Sequence, residues 1–145
     1  MMKTKIKKIL VPLDGSKNSF KGLEEAIYLA RQCGATITGV CVVPLYSIGL
    51  GNPGRILTSL KNETVREAEK FMAQAKKTSA KNGIVFNQKL LYGNGPWEIV
   101  EFAESRNFDI IVMGSRGLGG IKEAFLGSVA HTVVHKSKIP VLVVK

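Results

Sequence analysis

Cysteine, tryptophan, acidic side chains and long apolar runs are all scarce in this 145-residue chain, and each scarcity removes a class of protein. Two cysteines, Cys33 and Cys41, are too few for the disulfide framework of a small secreted domain. Both lie in apolar contexts and read as reduced, buried thiols. No apolar stretch approaches the length needed to cross a bilayer, and MMKTKIKK leads into a short strand rather than a signal-peptide core, so a soluble, cytoplasmic protein is expected. Only 11 acidic residues stand against 21 basic ones, for a net charge of +10. The cations gather at Lys3, Lys5, Lys7 and Lys8 and at Lys76, Lys77 and Lys81, with no aromatic stacking platform or DNA-reading motif between them. Solvated faces with a general attraction to polyanions and nucleotides are therefore expected in place of specific nucleic-acid binding.

Familiar phosphate and catalytic motifs are also missing. A Walker A loop requires Lys then Ser or Thr after its last glycine, whereas Gly119 is followed by Gly120 and Ile121. The dinucleotide fingerprint, started at Gly117, matches at Gly119 and fails at Lys122. DGSKNS after the first apolar run is neither an SGG turn nor a HIGH-like pair of an adenylating enzyme. His131 and His135 have the i, i+4 spacing of metal ligands but no third ligand or intervening Glu, and read as solvent- or interface-facing. Trp97 reads as a residue packed against the sheet.

What is present is a regular alternation of apolar runs with helical patterns, the signature of βαβ units. A first strand is expected over Lys8–Leu13, then a helix capped by Ser16 with Phe20, Leu23, Ile27 and Ala30 inward and Gly34 at its end. ATITGVCVV is the second strand, closed by Pro44, and PLYSIGLGNPGR reads as a surface connection or a lid. A long helix over Leu57–Lys81 presents Val65, Ala68, Phe71, Met72 and Ala75 inward and stops at Asn82-Gly83. IVFNQKLLY is the third strand, Pro96 opens a short helix, FDIIVM is the fourth strand, SVAHTVVHKS the last helix and IPVLVV the fifth strand. Five strands and four helices make one doubly wound α/β domain over residues 1–145, a parallel sheet of order 3-2-1-4-5 with helices on both faces.

The segment GSRGLGGIKEAFLGSVA places five glycines within fourteen positions immediately after the fourth strand. Ordering glycine is entropically costly, so such a cluster implies special dihedrals or close backbone approach. Gly114, Gly117 and Gly127 followed by Ser128 have the spacing G-2x-G-9x-G-S. With Ser128 capping the last helix, the N–H groups of Gly127 to Val129 face an anion while Gly114 and Gly117 let the chain curl around it; the bland alternative is a glycine-rich connection with an ordinary cap. Asp14, at the end of the first strand, opens on the same crevice as an acceptor for a ribose hydroxyl or an adenine amino group, or serves as a turn residue before Gly15.

KILVPLDGS, GNGPWEIVEFAE, DIIVMGSRGLGGIKEAFLGSVAHTVV and IPVLVV together resemble the universal stress protein family over essentially the whole chain, and the third stretch resembles its ATP-binding branch. The resemblance implies that Pro12 and Asp14 line the nucleoside end, that Val42 meets adenine through its backbone, and that Met113, Gly114, Gly117, Gly127, Ser128 and Val129 surround ribose and phosphates. Arg116, at a variable position, pairs with a phosphate or points to water. ATP is the implied ligand, with ADP or AMP as alternatives and Mg2+ accompanying the phosphates. Family members also pair their last strands between subunits, and residues 139–144 would otherwise form a bare apolar edge, so a homodimer through this strand is expected. The expected role is a nucleotide-dependent regulator in stress response. A slow ATP hydrolase and a basic polyanion-binding module are the alternatives; the glycine segment supplies chiefly backbone donors, without the positioned base of an efficient phosphoryl-transfer enzyme.

Overall fold

Short β-rich apolar runs bounded by turn residues become strands, and amphipathic stretches between them become helices. The computed structural model describes residues 5–44, 55–117 and 125–145, with side chains from 62 onward in the second of these. The elements are β1 (Lys8–Pro12), α1 (Lys17–Cys33), β2 (Thr36–Pro44), α2 (Arg55–Lys81), β3 (Phe86–Gly93), α3 (Gly95–Ser105), β4 (Ile110–Gly114), α4 (Ser128–Lys136) and β5 (Val141–Val144). All neighbouring strands pair in parallel, in the order β3-β2-β1-β4-β5. The segment between β2 and α2 that reads as a lid falls largely within 45–54, outside the described residues, as do Gly119 and Gly120.

Alternate strand residues feed two cores. Ile9, Val11, Leu13 and Ile37 pack with Leu23, Ile27, Ala68 and Met72 on the face covered by α1 and α2. Leu10, Val40, Ile111 and Met113 pack with Ile99, Ala103, Ala130 and Val133 under α3 and α4. Fully burying a side chain such as Leu10 contributes about 1.5–3 kcal/mol, so β1, buried on both faces, anchors the sheet.

Local chemistry sets the helix ends. Ser16 caps α1, its hydroxyl accepting from the Ser19 N–H at 3.0 Å, and Gly34 closes it in the left-handed conformation at φ 68°. Several bounds differ from the sequence reading. The chain leaves α2 through bonds from Gly83 N–H to Ala80 O and from Ile84 N–H to Ser79 O, so Ile84 still belongs to the helix exit and β3 starts at Phe86. Asn107, at φ 57°, and Phe108, whose N–H donates to Ala103 O, finish α3, so β4 begins only at Ile110. Ser137 Oγ donates to Ile139 O and accepts from Ile139 N–H, a turn that delays β5 to Val141.

Two side chains are placed differently from expectation. Trp97 does not pack on the sheet: it lies 51% exposed on α3, with the Lys136 ammonium 5.4 Å from its ring centre. Of the two thiols Cys41 is buried, whereas Cys33, on the last turn of α1, is only half-buried.

Candidate functional site

The strand order reverses between β1 and β4, and parallel sheets open a crevice outside the carboxyl ends of their strands at that point. A cavity of about 370 Å³ lies there, within the range of small-ligand sites. Pro12, Leu13 and Asp14 enter it from the end of β1, Val40, Cys41, Val42 and Pro44 from β2, and Met113 to Gly117 from β4 and the turn after it. Ser19 of α1, Gly95 and Ile99 of α3 and Gly127 to Ala130 at the start of α4 complete the wall. Pro12, Asp14, Val42, Met113, Gly114, Arg116, Gly117, Gly127, Ser128 and Val129 are thus gathered on one cavity, although the first and the last lie 117 positions apart in the sequence.

Its two ends differ in chemistry. One is apolar, formed by Val40, Val42, Pro44 and Ile99. Val40 O accepts from Leu13 N–H at 2.8 Å, so strand alternation turns the N–H and C=O of Val42 to the same side, beyond the last residue of β1. The other end is the start of α4, where the N–H groups of Ser128, Val129 and Ala130 precede the first intrahelical bond, His131 N–H to Gly127 O. An anion there meets free backbone donors and the positive end of the helix dipole, worth about 0.3–1 kcal/mol at an exposed terminus.

Helix α4 is capped differently from the sequence reading. Gly127 is its N-cap, in extended conformation and with no side-chain cap, and Ser128 is its first helical residue. The Gly127 N–H is not available to a ligand either, because it donates to Ser115 O at 2.6 Å.

Asp14 stands between the two ends. Its Oδ1 accepts from Ser16 N–H at 2.9 Å, the Asx turn that leads into α1, and its Oδ2 lies against Gly117. The turn role and a place on the cavity wall therefore coexist in one carboxylate. Cys41 is close enough to feel that charge: burial first, and the Asp14 carboxylate second, push its thiol up to about 11. It is a neutral wall group at physiological pH, not a nucleophile.

Sequence reasoning missed Ser115, Asn18, Gly95 and Ile99. Ser115 is buried, and its backbone joins three elements: N–H to Val144 O at 2.8 Å, and O to Gly127 N–H. Its signal was its position directly after Gly114. Asn18 carries no local signal, because its partners are 98 and 126 residues away. His131 and His135 are exposed, with ring centres 4.4 Å apart, and among the described residues no three His, Cys, Asp or Glu side chains form a metal-binding group. No helix among those residues is long and apolar enough to cross a membrane.

The sheet order and the crevice at its switch point define a doubly wound α/β protein with a two-ended ligand cavity. The chain belongs to the universal stress protein family, whose family model matches residues 5–145. It is 36% identical over 140 residues to universal stress protein MJ0531 of Methanocaldococcus jannaschii, covering 96% of this chain and 82% of that one. Universal stress protein YxiE of Bacillus subtilis is 33% identical over 156 residues, covering 95% and 98%. Among solved structures, hypothetical protein MJ0577 of M. jannaschii superposes with a TM-score of 0.85 at 32% identity, covering 98% of this chain and 97% of the other. The universal stress protein of Archaeoglobus fulgidus in complex with dAMP superposes with a TM-score of 0.73 at 25% identity, covering 97% and 98%.

Proposed function

We propose that this chain binds one adenine nucleotide in the switch-point cavity, ATP foremost with ADP or AMP as alternatives, and acts in stress response as a regulator whose conformation or partner choice follows occupancy. The observation that carries this reading is the shared crevice: an apolar slot, a half-buried carboxylate and the unpaired N–H groups of Ser128 to Ala130 stand in the order of base, ribose and phosphates. The dAMP complex of the A. fulgidus relative supports the ligand class. In this reading the base enters between Val42 and Ile99, Asp14 accepts from the sugar, and the phosphates lie over the start of α4 beside Gly117 and Arg116, with Mg2+ arriving on the phosphates and keeping most of its water.

Two chains pair through the β5 edge, where Leu142 is 41% exposed on a strand that, among the described residues, is paired on one side, and the protein works in the cytoplasm. Calorimetric titration with Mg-ATP at moderate salt, which screens attraction to the +10 charge, tests the reading. Saturation near one nucleotide per chain is expected. Absence of saturable binding overturns it, as does release of inorganic phosphate at a catalytic rate that scales with protein and disappears on substituting Gly127.

A further inference from the structure

The described part of the turn that follows β4 is tied to three other elements. A side chain at the start of α1 reaches its backbone: Asn18 Oδ1 accepts from Arg116 N–H at 2.6 Å, and Asn18 Nδ2 donates to Val144 O at 3.4 Å. The same Val144 carbonyl accepts from Ser115 N–H at 2.8 Å, and Ser115 O accepts from Gly127 N–H at 2.6 Å. Four elements therefore meet at two consecutive peptide groups: the start of α1, the ends of β4 and β5, and the start of α4. Gly114 makes the approach feasible, since a Cβ there would stand 2.6 Å from both Asn18 O and Asn18 Oδ1.

We propose that Asn18 is the positioning residue of the anion-binding end, locking the Ser115–Gly117 backbone against β5 so that the first turn of α4 and the cavity mouth keep one fixed spacing. The inference rests on the nucleotide reading above and adds to it a residue that touches no ligand. Three consequences follow from the bonds themselves. The Arg116 and Gly127 N–H groups are already committed, so neither is available to a phosphate, while the N–H groups of Ser128 to Ala130 are. The turn is pre-organised before ligand arrives, which lowers the ordering cost of binding. The last carbonyl of β5 is tied to the phosphate end through both Ser115 and Asn18, so a strain applied at that edge reaches the ligand, and a ligand reaches that edge, by the reciprocity of linked equilibria.

The test uses full-length protein, Asn18→Ala and Asn18→Asp, titrated with Mg-ATP and with adenosine, which lacks phosphates. Melting curves and amide spectra are recorded in parallel. Asn18→Ala is expected to lose at least about tenfold in ATP affinity while adenosine affinity changes by less than about twofold, a split that general loosening of the fold would not produce. The Arg116 amide proton, shifted downfield by its short bond, should move upfield in Asn18→Ala and stay downfield in Asn18→Asp, which keeps the acceptor. A folded Asn18→Ala variant with an unchanged ATP-to-adenosine ratio, or with an unchanged Arg116 amide, overturns the proposal. If the wild-type protein binds neither compound, the nucleotide reading falls, and the amide arm still decides whether Asn18 holds the turn.

Discussion

The Oδ2 atom of Asp14 occupies the space into which a side chain at Gly117 would grow, so that an added Cβ would overlap it. In the sequence reading Gly117 serves to let the chain curl around an anion; among the described residues what an added Cβ meets is the carboxylate. Because Asp14 is a short, half-buried side chain that can rotate away, Gly117→Ala is expected to leave the fold intact, misplace Asp14 and weaken ATP binding by about tenfold. In an Asp14→Ala background the same glycine substitution should cost far less. A double-mutant cycle measured by calorimetry checks this, and additive effects would assign the two residues to separate functions.

Gly114 answers to the same logic with the opposite outcome. Its added Cβ would meet a backbone oxygen, Asn18 O, at 2.6 Å, and the α1 glycine Gly22 packs against its N–H, with an added Cβ at 3.0 Å from that nitrogen. Backbone cannot rotate aside, so Gly114→Ala is expected to destabilise the protein by roughly 2–4 kcal/mol. Urea unfolding should show a lower midpoint with an unchanged slope.

Gly15 combines a left-handed backbone, φ 86°, with the Phe71 ring, whose Cδ2 would stand 2.9 Å from an added Cβ. Gly15→Ala is expected to cost about 1–2 kcal/mol from the backbone alone. Adding Phe71→Leu should recover part of any excess above that figure in the same unfolding assay; no recovery would place the whole cost in the backbone.

Cys41 gives stability a dependence on alkaline pH. Its thiol titrates at about 11 in the folded chain against an ordinary value of 9.0, so between those limits the folded state keeps a proton that the unfolded state has lost. The contribution is fully present below the lower value and disappears as pH rises toward the upper one, removing roughly 2–3 kcal/mol. Comparing urea midpoints at pH 8 and pH 11 for wild type and Cys41→Ala isolates the contribution of this thiol. An equal pH effect in both proteins refutes it.

Elements specified by local chemistry were legible before any coordinates. Ser16 and Gly34 carry their own capping signals, the two-sided burial of β1 follows from its unbroken apolar run, and the glycine spacing led to the cavity wall at both Gly114 and Gly127. What escaped depends on tertiary partners. Ser128 resembled a cap in one dimension, yet the chain enters α4 with Gly127 held to Ser115 O, which shifts the cap by one residue. Trp97 is expected from the sequence to lie against the sheet, but the buried stripe of α3 passes through Ile99, Val100 and Ala103 and leaves the indole outside. Nothing near Asn18 in sequence announces a bond to Val144.

That outward indole has a practical meaning. The chain has one tryptophan, and it sits on the helix that lends Gly95 and Ile99 to the cavity, facing Lys136 on the helix whose opposite end lines the same cavity. The molecule therefore carries a built-in optical gauge of the distance between α3 and α4, readable as emission colour and intensity, which registers whether a bound ligand draws those helices together.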